Sequence, residues 1–377
     1  MTRRILYISG TRADFGLMRR TLQAIHAEPT LSLAIVATGM HLSPAHGDTI
    51  REIEASGLPI AARVPVAVKP ATGGTMARGI ATMIAAFTDV LEAQRPDLVL
   101  LLGDRGEMLA GAIAAIHLDV AVAHIHGGER SGTVDEPVRH AVSKLAHLHF
   151  AATSGARDRL VRMGEDPAHV HVTGAPGLDG LADGARADRD VVMTHHALRA
   201  DRRFALMVYH PVLQEAAAAG REAAMVLDAI LAAGLQALVL MPNADAGSDH
   251  VRAALESRCD RPGVTLVTHL EREAFLDAMA TADVMVGNSS AGIIEAASFG
   301  TPVVNVGTRQ NLRERNLNVT DVAANAGAIA TALGNVLSLA RPFPANIYGD
   351  GRAAAQIVTV LRDAPLGSGL MMKVNGY

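Results

Sequence analysis

The chain has 377 residues, 49% of them hydrophobic and 19% charged, which is enough apolar surface for more than one buried core and too much for a disordered polymer. A formal net charge of -4 leaves no broad basic field for nucleic acid, so any phosphate-bearing ligand has to be gripped locally. The single cysteine, Cys259, excludes an internal disulfide and a cysteine-rich zinc cluster.

From the amino end, MTRRILYISG reads as a strand followed by turn chemistry, not as a secretory leader. No apolar run reaches the roughly 18 residues that a membrane span needs. The expectation is a cytoplasmic protein with no membrane partner.

Short aliphatic runs then alternate with longer Ala/Leu/Glu/Arg stretches of helical period, as successive βαβ units require. The strands of a first series are predicted at RILYIS, LSLAIVATG, LVLLLG, VAVAHIH, LHFAAT and HVHVTG. A stretch rich in Gly, Ala and Asp near residues 175–200 marks a boundary. A second series follows at FALMVY, QALVLMP, VTLVTH, DVMVGN and TPVVNVG. The pattern predicts an α/β protein of two Rossmann-like, doubly wound domains facing a cleft, residues 1–180 and 181–351. Residues 365–377 lack periodicity and are expected to fray.

In open parallel sheets the carboxyl ends of the strands face the ligand crevice. The polar residues fall there: Arg12 after YISGT, Asp104 and Arg105 after LVLLLG, and His126 and Glu129 after VAVAHI. In the second series they are His210 after LMVY, Asn243 and Asp245 after LVLMP, and Ser289 and Ser290 after VMVGN.

GNSSAGIIEAASFGTP combines a turn with a short helix capped by Ser289 or Ser290, whose free N–H groups suit an anion such as a diphosphate. Glu295 lies in that helix, where a carboxylate can accept both hydroxyls of a ribose; a plain cap with a solvated Glu is the alternative. GTRADFGLM repeats the logic with Arg12 as a fork donor and lacks the dinucleotide glycine fingerprint. HIHGGERSGTVDEPVRH gathers three histidines with Glu129, Asp135, Glu136 and Arg139. Moving a proton off carbon and back calls for such a mixture of carboxylates and imidazoles. Arg139 follows Asp135 by one helical turn, a spacing that would hold that carboxylate ionised. No shared metal is expected for His124 and His126.

Taken together, GTRADFG, ATGMHLS, GDRGEMLA, HIHGGERSGTVDEPVRHAVSKLAHLHF, PNADAGS, GNSSAGIIEA, GTPVVNVGTRQ and NIYGDG resemble the hydrolysing UDP-N-acetylglucosamine 2-epimerases, over nearly the whole chain from Ile5 to about Arg362. The resemblance implies a GT-B fold whose last helix, about 352–362, packs back on the first domain. It implies elimination of UDP from UDP-N-acetylglucosamine to a 2-acetamidoglycal, then hydration with inversion to N-acetylmannosamine, with no metal or cofactor and a homodimer or homotetramer. Close relatives act on UDP-N,N'-diacetylbacillosamine, the alternative substrate. The family's catalytic acids fall on Asp104 and Asp135. Its UDP contacts fall on Arg12, Ala13, His210, Asn243, Asp245, Ser289, Ser290, Glu295 and Arg309. Many members carry HIEGGE, with a catalytic glutamate where this chain has His126. Either His126 or Glu129 then takes over the proton transfer, with Arg139 and His210 beside them. A GT-B glycosyltransferase, a non-hydrolysing epimerase and a silent nucleotide-sugar sensor would share the nucleotide half.

Overall fold

The computed structural model describes residues 2–181, 186–338 and 345–376. Residues 182–185 of the expected boundary, and Tyr377 of the tail, lie outside the described residues.

Seven strands form the first sheet: β1 (Arg3–Ser9), β2 (Leu31–Thr38), β3 (Ile60–Val64), β4 (Leu98–Leu102), β5 (Ala121–Ile125), β6 (Leu148–Ala151) and β7 (Val170–Val172). Their order is β3-β2-β1-β4-β5-β6-β7 and every described pair is parallel. Six form the second: β8 (Phe204–Val208), β9 (Gln236–Leu240), β10 (Val264–Val267), β11 (Val284–Gly287), β12 (Val303–Val306) and β13 (Val319–Val322). Their order is β10-β9-β8-β11-β12-β13, again all parallel. Both sheets are doubly wound, with strand order reversing between β1 and β4 and between β8 and β11.

The aliphatic runs are continuous because both faces of each sheet are covered. On one face Ile5, Tyr7, Leu98 and Leu100 meet Phe15, Met18 and Leu22 of the helix Arg12–Ala27. On the other, Leu6, Ile8, Val99 and Leu101 meet Phe87 and Met108. The two strands not foreseen, β3 and β13, are edge strands whose residues are mostly half-buried, so their hydrophobic signal is diluted.

Beyond β7 the chain passes Gly174, and its carboxyl-terminal part returns beside that point, where the Ala175 N–H donates to the Tyr348 carbonyl at 2.8 Å. The helix Ala353–Asp363 then lies on the first domain, burying Ile357 and Leu361 against its core at about 2 kcal/mol per side chain. Within the tail expected to fray, Ser368–Met371 is a short helix, Leu370 is buried in the same core, and Gly376 donates to the Gly164 carbonyl at 2.9 Å. A few isolated anchors hold it, and they leave no periodic mark on the sequence. Among the described residues, no helix is long and apolar enough to cross a membrane.

Candidate active site

The helix Arg12–Ala27 begins directly beyond β1, with Thr11 and Asp14 exchanging side-chain and backbone hydrogen bonds in a capping box. That fixes Arg12 at the cleft, where it donates to the Thr268 carbonyl at 3.2 Å and contacts the His269 ring on the opposite domain. Burial lowers its guanidinium to about 10, opposed by Glu52, and it remains a cation at neutral pH.

At the tip of β4, Asp104 is ion-paired with Arg139, a guanidinium only 1% exposed. The spacing argument that joined Arg139 to Asp135 fails. Asp135 opens the helix Asp135–Leu145 with its side chain 36% exposed, and its cationic neighbour is Arg309 at 3.9 Å. Arg139 instead turns inward, 3.6 Å from Glu129 and 3.3 Å from the His126 carbonyl. A buried cation needs buried partners, and Asp135 cannot supply them.

His126, just past β5, has φ of 64°, a left-handed conformation that costs a non-glycine residue about 1–2 kcal/mol. Its Nδ1 is bonded to Glu129, which leaves Nε2 for the cleft. Glu129 also binds Arg313 from the second domain. Burial alone would raise this carboxyl, but Arg313 and then His126 outweigh it and hold the group at about 2. Gly128 (φ 76°) makes the turn between them possible, since a Cβ there would collide with the Ala156 carbonyl. His124 faces the other way and is a satisfied interior imidazole, 2.7 Å from the Gly103 carbonyl and 3.1 Å from Ser143 Oγ, lowered to about 3 by burial.

On the second sheet, His210 beyond β8 and Asn288 beyond β11 exchange hydrogen bonds: the His210 N–H donates to Asn288 Oδ1 at 2.7 Å and Asn288 Nδ2 donates to the His210 carbonyl at 2.8 Å. Gly287 (φ 138°) lets the two strands approach, as a Cβ would strike the Val208 carbonyl. Burial, then Arg309, pushes the His210 imidazole down to about 3, so it is neutral, and its buried Nδ1 has no partner among the described residues. Ser289 caps the helix Ser290–Ile294, accepting from the Ala291 N–H at 3.3 Å. Glu295 stands just past the helix end and is gripped by Arg272, which also donates to the Gly177 carbonyl at 2.8 Å. Asn243 donates to Asp245 at 2.5 Å, and Asp245 reaches across to Arg105 at 3.2 Å.

One cavity of about 270 Å³ between the sheets is lined by Arg12, Ala13, Asp104, His126, Arg139 and His210, and by Asn243, Ser289, Ser290, Glu295 and Arg309. Glu129 and Asp245 stand behind its wall as partners of lining residues, and Asp135 lies to one side. Sequence reasoning did not assign Arg272 or Arg313, which hold Glu295 and Glu129, and left Arg105 without a role. The three arginines of GTRQNLRER were the available signal for Arg313. The cavity thus sets an acid–imidazole wall against a wall of arginine, serine and neutral histidine, which suits a charged leaving group on one side and proton movement on the other.

The family model for UDP-N-acetylglucosamine 2-epimerase matches residues 23–362. The chain belongs to that family. It is 47% identical, over all 377 residues and the whole of both chains, to the UDP-N,N'-diacetylbacillosamine 2-epimerase (hydrolyzing) of Legionella pneumophila. It is 34% identical to the UDP-N-acetylglucosamine 2-epimerase of Neisseria meningitidis over 90% of this chain and 89% of that one. The structure of the Methanocaldococcus jannaschii UDP-GlcNAc 2-epimerase, in complex with UDP-GlcNAc and UDP, superposes with a TM-score of 0.81 at 19% identity over 95% of this chain and 99% of that one. That likeness is one of fold, the GT-B pairing of two Rossmann-like domains. As a member of the epimerase family, the protein is a UDP-sugar 2-epimerase.

Proposed function

We propose that this epimerase is hydrolysing: it eliminates UDP across C1–C2 of a UDP-2-acetamido sugar and hydrates the resulting 2-acetamidoglycal with inversion at C2. The observation carrying this reading is the meeting, in one cavity, of Asp104 and the free Nε2 of His126 with Arg309, His210 and the Ser289-capped helix.

In the first step a base takes the C2 proton, the C–H electrons form the C1=C2 bond, and the C1–O bond breaks toward UDP. His126 suits the proton: Glu129 fixes its tautomer through Nδ1, while Glu129 itself, held at about 2, is an anion at working pH and a poor proton carrier. Arg139 orients Asp104, the second proton-handling group. Charge developing on the diphosphate meets Arg309, the partnerless Nδ1 of neutral His210 and the helix N–H groups. In the second step water delivers hydroxyl to C1 and a proton goes to C2 from the other face. Asp135, half-exposed beside Arg309, is the carboxylate that solvent reaches and the one assigned to hydration. Water and UDP-sugar in, UDP and the free C2-epimeric sugar out, balances the reaction without a redox partner.

UDP-N,N'-diacetylbacillosamine is the favoured substrate, because the Legionella relative of that name aligns from end to end. UDP-N-acetylglucosamine is the second reading, supported by the Neisseria relative. Incubation with each UDP-sugar in heavy water tests both: free UDP by phosphorus NMR and one deuterium at C2 of a free sugar are expected. A C2 epimer still joined to UDP would overturn the hydrolytic reading.

A further inference from the structure

The geometry points to Lys373, in the carboxyl-terminal segment, as a positioning residue for the reactive end of the cleft: its ammonium closes the C-terminus of the helix Asp135–Leu145 and thereby sets Arg139 against Asp104. The match to the family model ends at residue 362, and the Legionella relative aligns through the segment beyond it.

The last carbonyls of a helix have no partner within it, and a cation there satisfies them and complements the dipole. Lys373 Nζ donates to the carbonyls of Lys144 at 2.8 Å, Ala146 at 2.6 Å and Ser143 at 3.2 Å. It is anchored at 2.5 Å by Glu165, a buried carboxylate that also holds Lys144 at 2.7 Å and His149 at 2.9 Å. Leu370, buried in the first-domain core, and the Gly376 bond to Gly164 fix the backbone on either side. The ammonium is therefore held in place at this helix end.

From Ser143 two connections run to the reactive pair. Its hydroxyl lies 3.0 Å from the Arg139 carbonyl and 3.1 Å from His124 Nδ1. The other nitrogen of His124 is 2.7 Å from the carbonyl of Gly103, the residue before Asp104. The last turn that Lys373 closes thus braces the backbone of both partners of the Arg139–Asp104 pair. This rests on the proposed reading of that pair as part of the reactive site, and the test separates the two.

In the full-length enzyme, UDP release from whichever of the two UDP-sugars is turned over is measured for Lys373→Met, Lys373→Arg, Arg139→Lys and the Lys373→Met/Arg139→Lys double variant, with UDP affinity by calorimetry. Lys373→Met is expected to lower kcat about tenfold at unchanged UDP affinity, since small misplacements of reacting groups cost up to roughly a hundredfold. Lys373→Arg restores kcat to within about twofold, because it keeps a cation on the same carbonyls. In the Arg139→Lys background the Lys373→Met effect shrinks below about twofold, the non-additivity expected if one residue acts through the other. Wild-type kcat in Lys373→Met overturns the inference, as does an equal loss in both backgrounds, which would mark a merely structural tail. If Lys373→Met does not fold, Lys373→Gln against Lys373→Arg reads the same contrast. Arg139→Lys turning over at the wild-type rate sinks the site reading and this inference together; a slow Arg139→Lys beside a fully active Lys373→Met sinks this inference alone.

Discussion

The two sheets share one winding order, yet their tips hold charge in different ways. On the first sheet Asp104 is tied to the buried Arg139 and Glu129 to the part-buried Arg313, which comes from the other domain. On the second sheet the ligand-facing groups are organised mainly by backbone: the Asn288–His210 exchange, the Ser289 cap and the Arg309 and Gln310 donations to the Asn288 carbonyl, both at 3.1 Å. Topology supplies the placement in both cases. The difference teaches that the first edge is a network in which each charge depends on another, suited to tuning proton transfer. The second is a preformed cradle suited to binding. Changes on the first edge should therefore strike turnover, and changes on the second should strike affinity.

The largest effect is expected at Asp104. Asp104→Asn keeps the shape, removes the proton-handling group and leaves Arg139 with only Glu129, 3.6 Å away, as a counter-charge. A loss of kcat of roughly 10²- to 10⁴-fold is expected, the range for a general acid or base, with UDP affinity by calorimetry near the wild-type value. An equal loss of UDP affinity would break the division between the edges.

Next is Glu129→Gln, which strips the anion from between His126 and Arg313. About a hundredfold loss of kcat is expected from a mispositioned imidazole. Stability supplies a second reading with a definite sign. Because the folded-state value, about 2, lies below the ordinary 4.5, the carboxylate's contribution is fully present above about pH 4.5 and disappears as pH falls toward 2. The wild type should exceed Glu129→Gln by roughly 3 kcal/mol at pH 7, a gap that closes below pH 4 in denaturant titrations. A gap that stays constant with pH would mean Glu129 acts through packing.

Much of this arrangement is legible in the sequence for a simple reason: a strand buried on both faces is a continuous aliphatic run, and its end is where polarity resumes. Asp104, His126, His210 and Ser289 were found that way. What stays hidden is pairing across long separations. Arg313 and Glu129 are 184 residues apart, and Arg272 and Glu295 sit on different elements, so no local pattern links them. Local spacing can also mislead. The helical interval from Asp135 to Arg139 is real, but burial sends the arginine to Asp104, 35 residues earlier. The edge strands β3 and β13 and the docked tail escaped notice because half-solvated segments carry weak periodicity.

A smaller effect is expected where Arg272 grips Glu295. Arg272→Met leaves that carboxylate, only 3% exposed, without its cation, and the Gly177 carbonyl without a donor. UDP affinity should fall about tenfold, with the rise in KM exceeding the change in kcat, as for loss of a charge-assisted pair in a binding wall. If kcat falls more than KM rises, the second edge takes part in chemistry, and the contrast between the edges weakens.

The smallest effect separates two ways in which a serine can serve an anion. As observed, Ser289 satisfies the Ala291 N–H and so spends its hydroxyl on the helix, leaving the next free N–H groups for phosphate. If that is its whole contribution, Ser289→Ala costs about 1 kcal/mol of stability and Ser289→Gly only a few tenths, because glycine is a tolerable N-cap and alanine is not, and UDP affinity falls more for alanine than for glycine. If the hydroxyl turns to the phosphate when UDP binds, the two variants lose affinity equally, since neither can donate. Calorimetric titration of both with UDP decides the matter, and equal losses would mean that the cradle rearranges its partners as the ligand arrives.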